Sequence, residues 1–328
     1  MRSAREANSI ADEFGFSLPE CVPGFVGGQA CQHAESSHRF EHICPATEET
    51  LYSVIECDAG VVDDAVAAAR TAFDSGGWSR MSCAARKPVL RRMIDVIDRH
   101  RDELAAIQSL EVGLPLSGVQ GMHMQRTIDN FDFFIEVADT LGGHSYTQTG
   151  RYTSLVTREP AGVVALLSPW NAPLVLSSMK LAAALALGNS CVIKASEYSP
   201  WSLYRFVEIL HEADIPPGLI NLVNGRGAVT GKALVEHSGV DVIGFVGGTA
   251  TGREIIRSSA AGIRKVGLEL GGKSANIVLD SANLESAVDG SLIAILAGNG
   301  EQCLAGSRIL VQDAVADEFL ETFLSRMR

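Results

Sequence analysis

Apolar positions along the chain follow two grammars. Up to about residue 160 the dominant period is helical. Residues 1–60 hold short strand-like pieces between turn residues, among them Phe25-Val26-Gly27-Gly28 and the run 51–55. An alanine-rich amphipathic stretch at 62–73 stops at Gly76-Gly77, and a long one at 84–112 has Ser82 as N-cap and Gly113 just past its end. A third helical pattern, 119–141, ends at Gly142-Gly143. The polar segment that follows, about 142–160, is rich in Thr, Tyr and Ser and reads as an exposed hairpin.

From Gly162 short apolar runs alternate with helical ones. Strands are predicted at 163–167, 190–194, 219–223 and 240–246, and helices at 178–187, from Ser199-Pro200 onward, at 229–236 and at 252–259. Ser199 is placed as the cap of its helix, with Pro200 at a first position where a missing N–H costs nothing. Near-continuous apolar strands separated by helices predict an α/β fold, a Rossmann-like parallel sheet with helices on both faces. Ligands of such sheets sit beyond the carboxyl ends of the strands. Those ends carry Trp170-Asn171, residues 194–197, Asn224-Gly225 and Gly247-Gly248-Thr249, a polar, glycine-bearing rim suited to a nucleotide.

Composition narrows this picture. A length of 328 residues with 46% hydrophobic and 20% charged content describes an ordinary globular chain of about two domains. A net charge of −12 argues against a nucleic-acid surface, and the single basic cluster, Arg86-Lys87 with Arg91-Arg92, reads as a solvated mixed-charge helix face. Seven scattered cysteines with no C-x-x-C pair predict reduced thiols, and the eight histidines show no ligand spacing, so no metal is expected. No signal-peptide stretch stands at the start, and no apolar run approaches the ~18–20 residues of a membrane helix, which predicts a soluble, cytoplasmic protein without membrane partners.

Residues 267–274, Gly-Leu-Glu-Leu-Gly-Gly-Lys-Ser, formally match a phosphate-binding P-loop. The match fails physically. Glu269 would put a carboxylate inside a phosphate cradle, Arg264-Lys265-Val266 makes a poor buried strand, and the segment 275–280 reads as a strand where a P-loop needs a helix. The same residues make sense beside Ser-Pro-Trp-Asn-Ala-Pro-Leu (168–174), Val-Ile-Lys-Ala-Ser-Glu (192–197) and Gly-Glu-Gln-Cys-Leu-Ala-Gly-Ser-Arg (300–308). In this order and spacing, with Phe-Val-Gly-Gly-Thr at 245–249, the chain resembles the aldehyde dehydrogenase superfamily from about residue 25 onward.

The resemblance implies an NAD-binding domain at 1–267 and the first part of a catalytic domain at 268–328. It implies oxidation of an aldehyde to a carboxylic acid, with NAD rather than NADP as hydride acceptor. Cys303, in a polar turn after an apolar helix, matches the family nucleophile that forms a thiohemiacetal. Asn171 matches the amide donor to the developing oxyanion, with the Cys303 backbone N–H as second donor. Glu269 matches the base that activates water on the thioester, and Lys180 a lysine near the site. Lys194 and Glu197 match the pair on the adenosine ribose, where a carboxylate favours NAD by repelling a 2′-phosphate. Ser168, Trp170, Gly225, Gly247, Thr249, Gly252 and Leu270 complete the expected cofactor contacts, the glycines by allowing close backbone approach.

Departures from the pattern are informative. Gly248 stands where the pyrophosphate loop usually has serine, leaving Thr249 as the nearest hydroxyl. Glu301 replaces a glutamine two residues before the nucleophile and adds negative charge beside a thiol that must ionise. Ala172 replaces a frequent aromatic, widening the substrate tunnel that Met179 helps to line, and Arg126 falls near its mouth, where it would pair with a substrate carboxylate. The run Cys-Leu-Ala-Gly-Ser-Arg is similar to that of members acting on hydroxymuconic semialdehydes. Family members continue beyond the position of Arg328, so the chain is expected to be truncated at its C-terminus, and the family's dimer or tetramer assembly is doubtful for it. Two alternatives stay open: a non-catalytic remnant that binds nucleotide or full-length subunits, and an enzyme that passes the acyl group to coenzyme A.

Overall fold

The computed structural model describes residues 4–31, 38–148 and 150–328; residue 149 of the predicted hairpin and residues 32–37 of the stretch that carries the family resemblance lie outside them. The chain divides into two compact units, residues 1–246 with 250–268, and residues 247–249 with 269–328.

The amino-terminal unit is organised by a seven-stranded sheet in the order Lys265–Leu270, Val242–Gly247, Val163–Leu167, Ser190–Lys194, Ile220–Val223, Phe25–Val26, Gln29–Ala30. The four predicted strands pair in parallel, with Val163 opposite Ser190, Val223 opposite Lys194 and Phe245 opposite Leu167. Every residue of Val163–Leu167, Ser190–Lys194 and Ile220–Val223 is buried, as a parallel strand covered on both faces requires. On one face pack the helices Cys83–Arg99, Met124–Thr140, Pro173–Ala186 and Pro200–Leu210 around Phe131, Leu174, Leu181 and Phe206. On the other, Ala59–Asp74 and Lys232–Glu236 close over Val62, Ala65, Val192 and Ile243. Strand order reverses between Val163–Leu167 and Val242–Gly247, which is where open α/β sheets form their ligand crevice.

Local chemistry sets most boundaries. The side chains of Asp58 and Ser82 accept from Val61 N–H and Ala85 N–H and so start their helices, and Gly113 (φ 73°) ends one in the left-handed region. The hairpin forms as read, His144–Tyr146 against Ser154–Val156. Several expectations are corrected. The long helix at 84–112 is two, Cys83–Arg99 and Arg101–Val112, broken at His100 (φ −99°, ψ 14°), whose imidazole turns to Glu103 at 2.8 Å. The helix expected at 178–187 starts at Pro173, because proline is preorganised for a first turn. The stretch 264–266, read as a poor buried strand, begins the edge strand Lys265–Leu270, where lysine is tolerated because one side faces solvent.

Ser199 does not cap its helix, and among the described residues its buried Oγ has no hydrogen-bond partner. The cap comes from Glu111, wholly buried, whose carboxylate accepts from Trp201 N–H (2.6 Å), Ser202 N–H (3.1 Å), Ser202 Oγ (2.5 Å) and Tyr52 Oη (2.5 Å). Burial pushes Glu111 up to about 7 against the pull of those donors. Arg86 also departs from the solvated reading. It is buried, with its guanidinium donating to the carbonyl of Ala186 at the carboxyl end of Pro173–Ala186 and to those of Trp78 and Met81 ahead of its own helix. Lys87 and Arg91 do lie on a charged face, against Asp139, Asp132 and Glu136.

The carboxyl-terminal unit is small. Ala275–Val278 and Arg308–Val311 form a parallel pair, flanked by the helices Leu284–Leu296 and Asp313–Met327 around a core of Val278, Val288 and Phe319. Among the described residues no helix is long and apolar enough to cross a membrane.

Candidate functional site

The residues singled out in the sequence fall in both units. In the amino-terminal unit they gather beyond the strand ends. Ser168 follows Val163–Leu167, its N–H donating to Lys194 O (3.0 Å) and its hydroxyl paired with Ser177 Oγ (2.7 Å). Trp170 is exposed, Asn171 is half-buried, and Ala172 immediately precedes the helix Pro173–Ala186. Met179 and Lys180 are half-buried on that helix. A Cβ on Gly244 would meet the Lys180 stem at 3.1 Å, so the bare backbone of Val242–Gly247 is what lets the stem lie across it. Gly244 carried no recognisable signal in the sequence.

Lys194 ends its strand buried, with Nζ 3.1 Å from Glu197 Oε2. Burial pushes the Lys194 ammonium down, and the charges of Glu197 and Glu56 counter it. Burial pushes the Glu197 carboxyl up, but the Lys194 ammonium and the N–H groups of Glu197 and Gly227 outweigh it and leave the group below its ordinary value. A buried ammonium tethered to a half-exposed carboxylate offers both a donor and an acceptor, the set a ribose diol needs.

Gly225 (φ 150°) has a reason the sequence did not reveal: a Cβ there would fall 1.9 Å from Thr230 Oγ1. Thr230 in turn donates to Cys57 O (2.6 Å), so the glycine is required for the turn 227–231 to close against residue 57. Beside it, buried Glu56 accepts from Arg226 N–H (3.0 Å), Nε (2.9 Å) and Nη2 (2.6 Å), and the guanidinium holds the Glu56 carboxyl below its ordinary value. Neither residue was flagged, because partners 170 positions apart leave no local pattern. Gly252 is buried in the helix Thr249–Ala260. Arg126 projects exposed from Met124–Thr140.

In the carboxyl-terminal unit the parallel register decides the geometry. Ala275 lies opposite Arg308, so the segments that enter the two strands, one carrying Glu269 and the other Cys303, arrive at the same end. Gly272 N–H donates to Cys303 O at 3.1 Å, Arg308 N–H to Ser274 O at 3.3 Å, and Arg308 Nε to Lys273 O at 3.0 Å. The thiol loop is pinned from the other side by Gly306 N–H on Ala294 O (3.0 Å), and it leaves its helix through a left-handed turn at Gly298, Asn299 and Gly300. A Cβ on Gly306 would press the Ala294 side chain at 3.1 Å. Cys303, Glu269 and Leu270 are exposed, as is Glu301, whose own carboxyl is pushed up by partial burial. Gly247 ends Val242–Gly247, and Thr249 begins the following helix. Gly272 is the residue that sequence reasoning passed over here; it stood in view as part of the motif at 267–274, with no role of its own.

The aldehyde dehydrogenase family matches residues 32–328. The chain is 40% identical over 277 residues to the 5-carboxymethyl-2-hydroxymuconate semialdehyde dehydrogenase of Escherichia coli, covering 84% of this chain and 58% of that one. It is similar in structure to HpcC from Thermus thermophilus, with a TM-score of 0.92, 36% identity and coverage of 97% and 61%. It is also similar to the NAD+ complex of an aldehyde dehydrogenase from Bacillus cereus, with a TM-score of 0.91, 36% identity and coverage of 96% and 64%. The chain thus spans about 60% of the length of the relatives it matches.

Proposed function

The chain belongs to the aldehyde dehydrogenase family, and on that premise we propose that it carries the nucleotide-binding and nucleophile-bearing parts of an enzyme that oxidises an aldehyde to a carboxylic acid, with NAD as hydride acceptor. Residues 1–267 serve as the NAD-binding domain and 268–328 as the first part of the catalytic domain.

The single observation that carries this reading is the Gly272–Cys303 hydrogen bond at 3.1 Å, on strands paired from Ala275 and Arg308. It supports a common task for the Glu269 and Cys303 segments. Cys303 as thiolate adds to the carbonyl carbon, and the resulting oxyanion takes its hydrogen bonds from the Asn171 amide and the Cys303 N–H; each such donor contributes ~2.7–4 kcal/mol to lowering a barrier of this kind. Bound NAD would supply the acceptor for the hydride that leaves this adduct, which leaves the acyl group on Cys303 as a thioester. Glu269 then takes a proton from water, which attacks the thioester carbon, and the acid leaves as the Cys303 thiolate is restored. Lys194 and Glu197 hold the adenosine ribose, a role their 3.1 Å pairing supports. Exposed Arg126 fits a substrate that bears a carboxylate as well as an aldehyde, the class named in the Escherichia coli relative. A cytoplasmic setting with free thiols suits this chemistry.

The test is aldehyde-dependent NADH formation by the 328-residue chain, with and without Cys303→Ala, using semialdehydes that carry a second carboxylate. Loss of turnover and of the covalent acyl adduct in the variant is the expected result. Turnover that requires coenzyme A would replace hydrolysis by acyl transfer. NAD binding with no turnover in either protein would establish a nucleotide-binding remnant.

A further inference from the structure

The edge of the seven-stranded sheet holds two thiols that the chemistry at Cys303 does not use. Cys31 follows directly on Gln29–Ala30, and its N–H donates to Gly24 O at 2.8 Å, which closes the edge ribbon on itself. Cys57 stands just beyond Thr50–Ile55, and its N–H donates to Asn224 O, also at 2.8 Å. The Asn224 side chain reaches on to Pro23 O at 2.6 Å, immediately before Gly24. Separate sets of bonds thus bring two cysteines from different elements to one short segment.

Gly24 shows how close the thiols come. A Cβ there would fall 2.9 Å from Cys57 Sγ and 3.4 Å from Cys31 Sγ, so both sulfurs border one bare backbone carbon. Its φ is not left-handed, so the missing Cβ serves to make room for the sulfurs and for Leu222 O. Gly24 N–H is directed at the Cys57 sulfur and Val26 N–H at that of Cys31. The two thiols differ in access: Cys57 is 1% exposed, while Cys31 is half-buried against the cluster that contains Cys57. Burial pushes the Cys31 thiol up to about 11 and the Cys57 thiol up to about 12. Asp64 adds to the first shift, and Cys31 and Asp58 add to the second. Both groups rest as neutral thiols at neutral pH, inert until an oxidant is supplied in excess.

We propose that Cys31 and Cys57 form a modification site, closed to a reversible disulfide by a low-molecular-weight disulfide such as oxidised glutathione. Half-buried Cys31, as thiolate, attacks one sulfur of the oxidant, releases one thiol and is left as a mixed disulfide. Cys57 then gives up its proton and attacks the Cys31 sulfur, and the second half of the oxidant leaves. Two electrons and two protons pass from the pair to the oxidant, which ends as two thiols. The new bond staples the edge ribbon at 25–30 to residue 57 and, through Asn224, to the end of Ile220–Val223. Cys31 lies just ahead of the segment matched by the family, 32–328.

Incubation of the 328-residue chain with excess oxidised glutathione, followed by mass spectrometry, reads the site directly. The expected product has lost two hydrogens, carries a Cys31–Cys57 cross-link in tandem spectra and reverts with dithiothreitol. It should also unfold at a higher denaturant concentration than the reduced chain, because the cross-link closes a loop of the unfolded state. Cys57→Ser should stop at the glutathione adduct of Cys31. Cys31→Ser should leave the buried Cys57 at least about tenfold slower to react. Gly24→Ala keeps both thiols but crowds the space they share, and it should slow closure about tenfold. Cross-links to Cys21 or Cys44 instead, a glutathione adduct on Cys31 that never closes in the wild type, or an unchanged rate in Gly24→Ala would overturn the pairing. A closed form no more stable than the reduced one would overturn the staple.

Discussion

Both units rest on short parallel strands, and they differ in what covers them. In the amino-terminal unit Val163–Leu167, Ser190–Lys194 and Ile220–Val223 are buried at every residue beneath helices on both faces. In the carboxyl-terminal unit the cross-strand partners Ile277 and Leu310 are 64% and 52% exposed, and Leu279, Ile293, Leu296, Leu304 and Leu324 are exposed as well. Apolar strand partners left in water contribute little of the stabilisation that burial would give, roughly 25 cal/mol per Å². The nucleotide rim therefore stands on a deep core, while the thiol loop stands on one face of two strands and a core built around Phe319. Precision in the second unit comes from a few backbone bonds, above all those of Gly272 and Gly306.

That contrast can be broken or sharpened by substitution. Glu111→Ala strands two backbone N–H groups, a serine and a tyrosine, and should cost the amino-terminal unit about 4 kcal/mol or more in denaturant unfolding. Phe319→Ala should cost about 3 kcal/mol and unfold the carboxyl-terminal unit alone, seen as loss of amide protection in 275–278 and 308–311 with 163–167 still protected. Glu111→Gln should cost about 2 kcal/mol, since an NH₂ group must face donors. In the wild type the Glu111 carboxyl is raised from its ordinary 4.5 to about 7, so the fold holds a proton that the unfolded chain has released. Stability attributable to this group is therefore full below pH 4.5, falls as pH rises toward 7 and levels beyond; a Glu111→Gln profile without that slope checks it. Lys194→Met should weaken NAD about tenfold in a titration, with no change in unfolding of the carboxyl-terminal unit.

The smallest effect is the sharpest comparison. Asp58→Ala and Asn283→Ala each remove one helix cap, from Val61 N–H at 3.0 Å and Ser286 N–H at 2.9 Å, and each should cost about 1 kcal/mol. The first should leave the amino-terminal unit folded at room temperature. The second should visibly raise exchange throughout the smaller unit. Equal protection in both variants would erase the distinction between the units.

Local chemistry made much of this legible in the sequence. Alternating strands and helices after Gly162 predicted the parallel sheet, and Ser82 and Gly113 marked real helix ends, because those signals act within a few residues. The break at His100 was hidden by a hydrophobic period that runs through it. Ser199 misled for a related reason: a local cap was available, but a wholly buried carboxylate 90 residues away took its place. Candidate site residues were readable as motifs, whereas Gly244, Gly272, Glu56 and Arg226 owe their roles to neighbours brought near only by folding.

The Glu111 carboxylate has a consequence for how the chain emerges from a ribosome. Its donors are residues 52, 201 and 202, and the strand Phe25–Val26 waits for Leu222. A nascent chain that has not yet reached residue 200 therefore carries a buried-type acid without most of its ligands and a strand without its neighbour. Closure of the first unit must await synthesis of its second half, which brings three of the four donors to the Glu111 carboxylate.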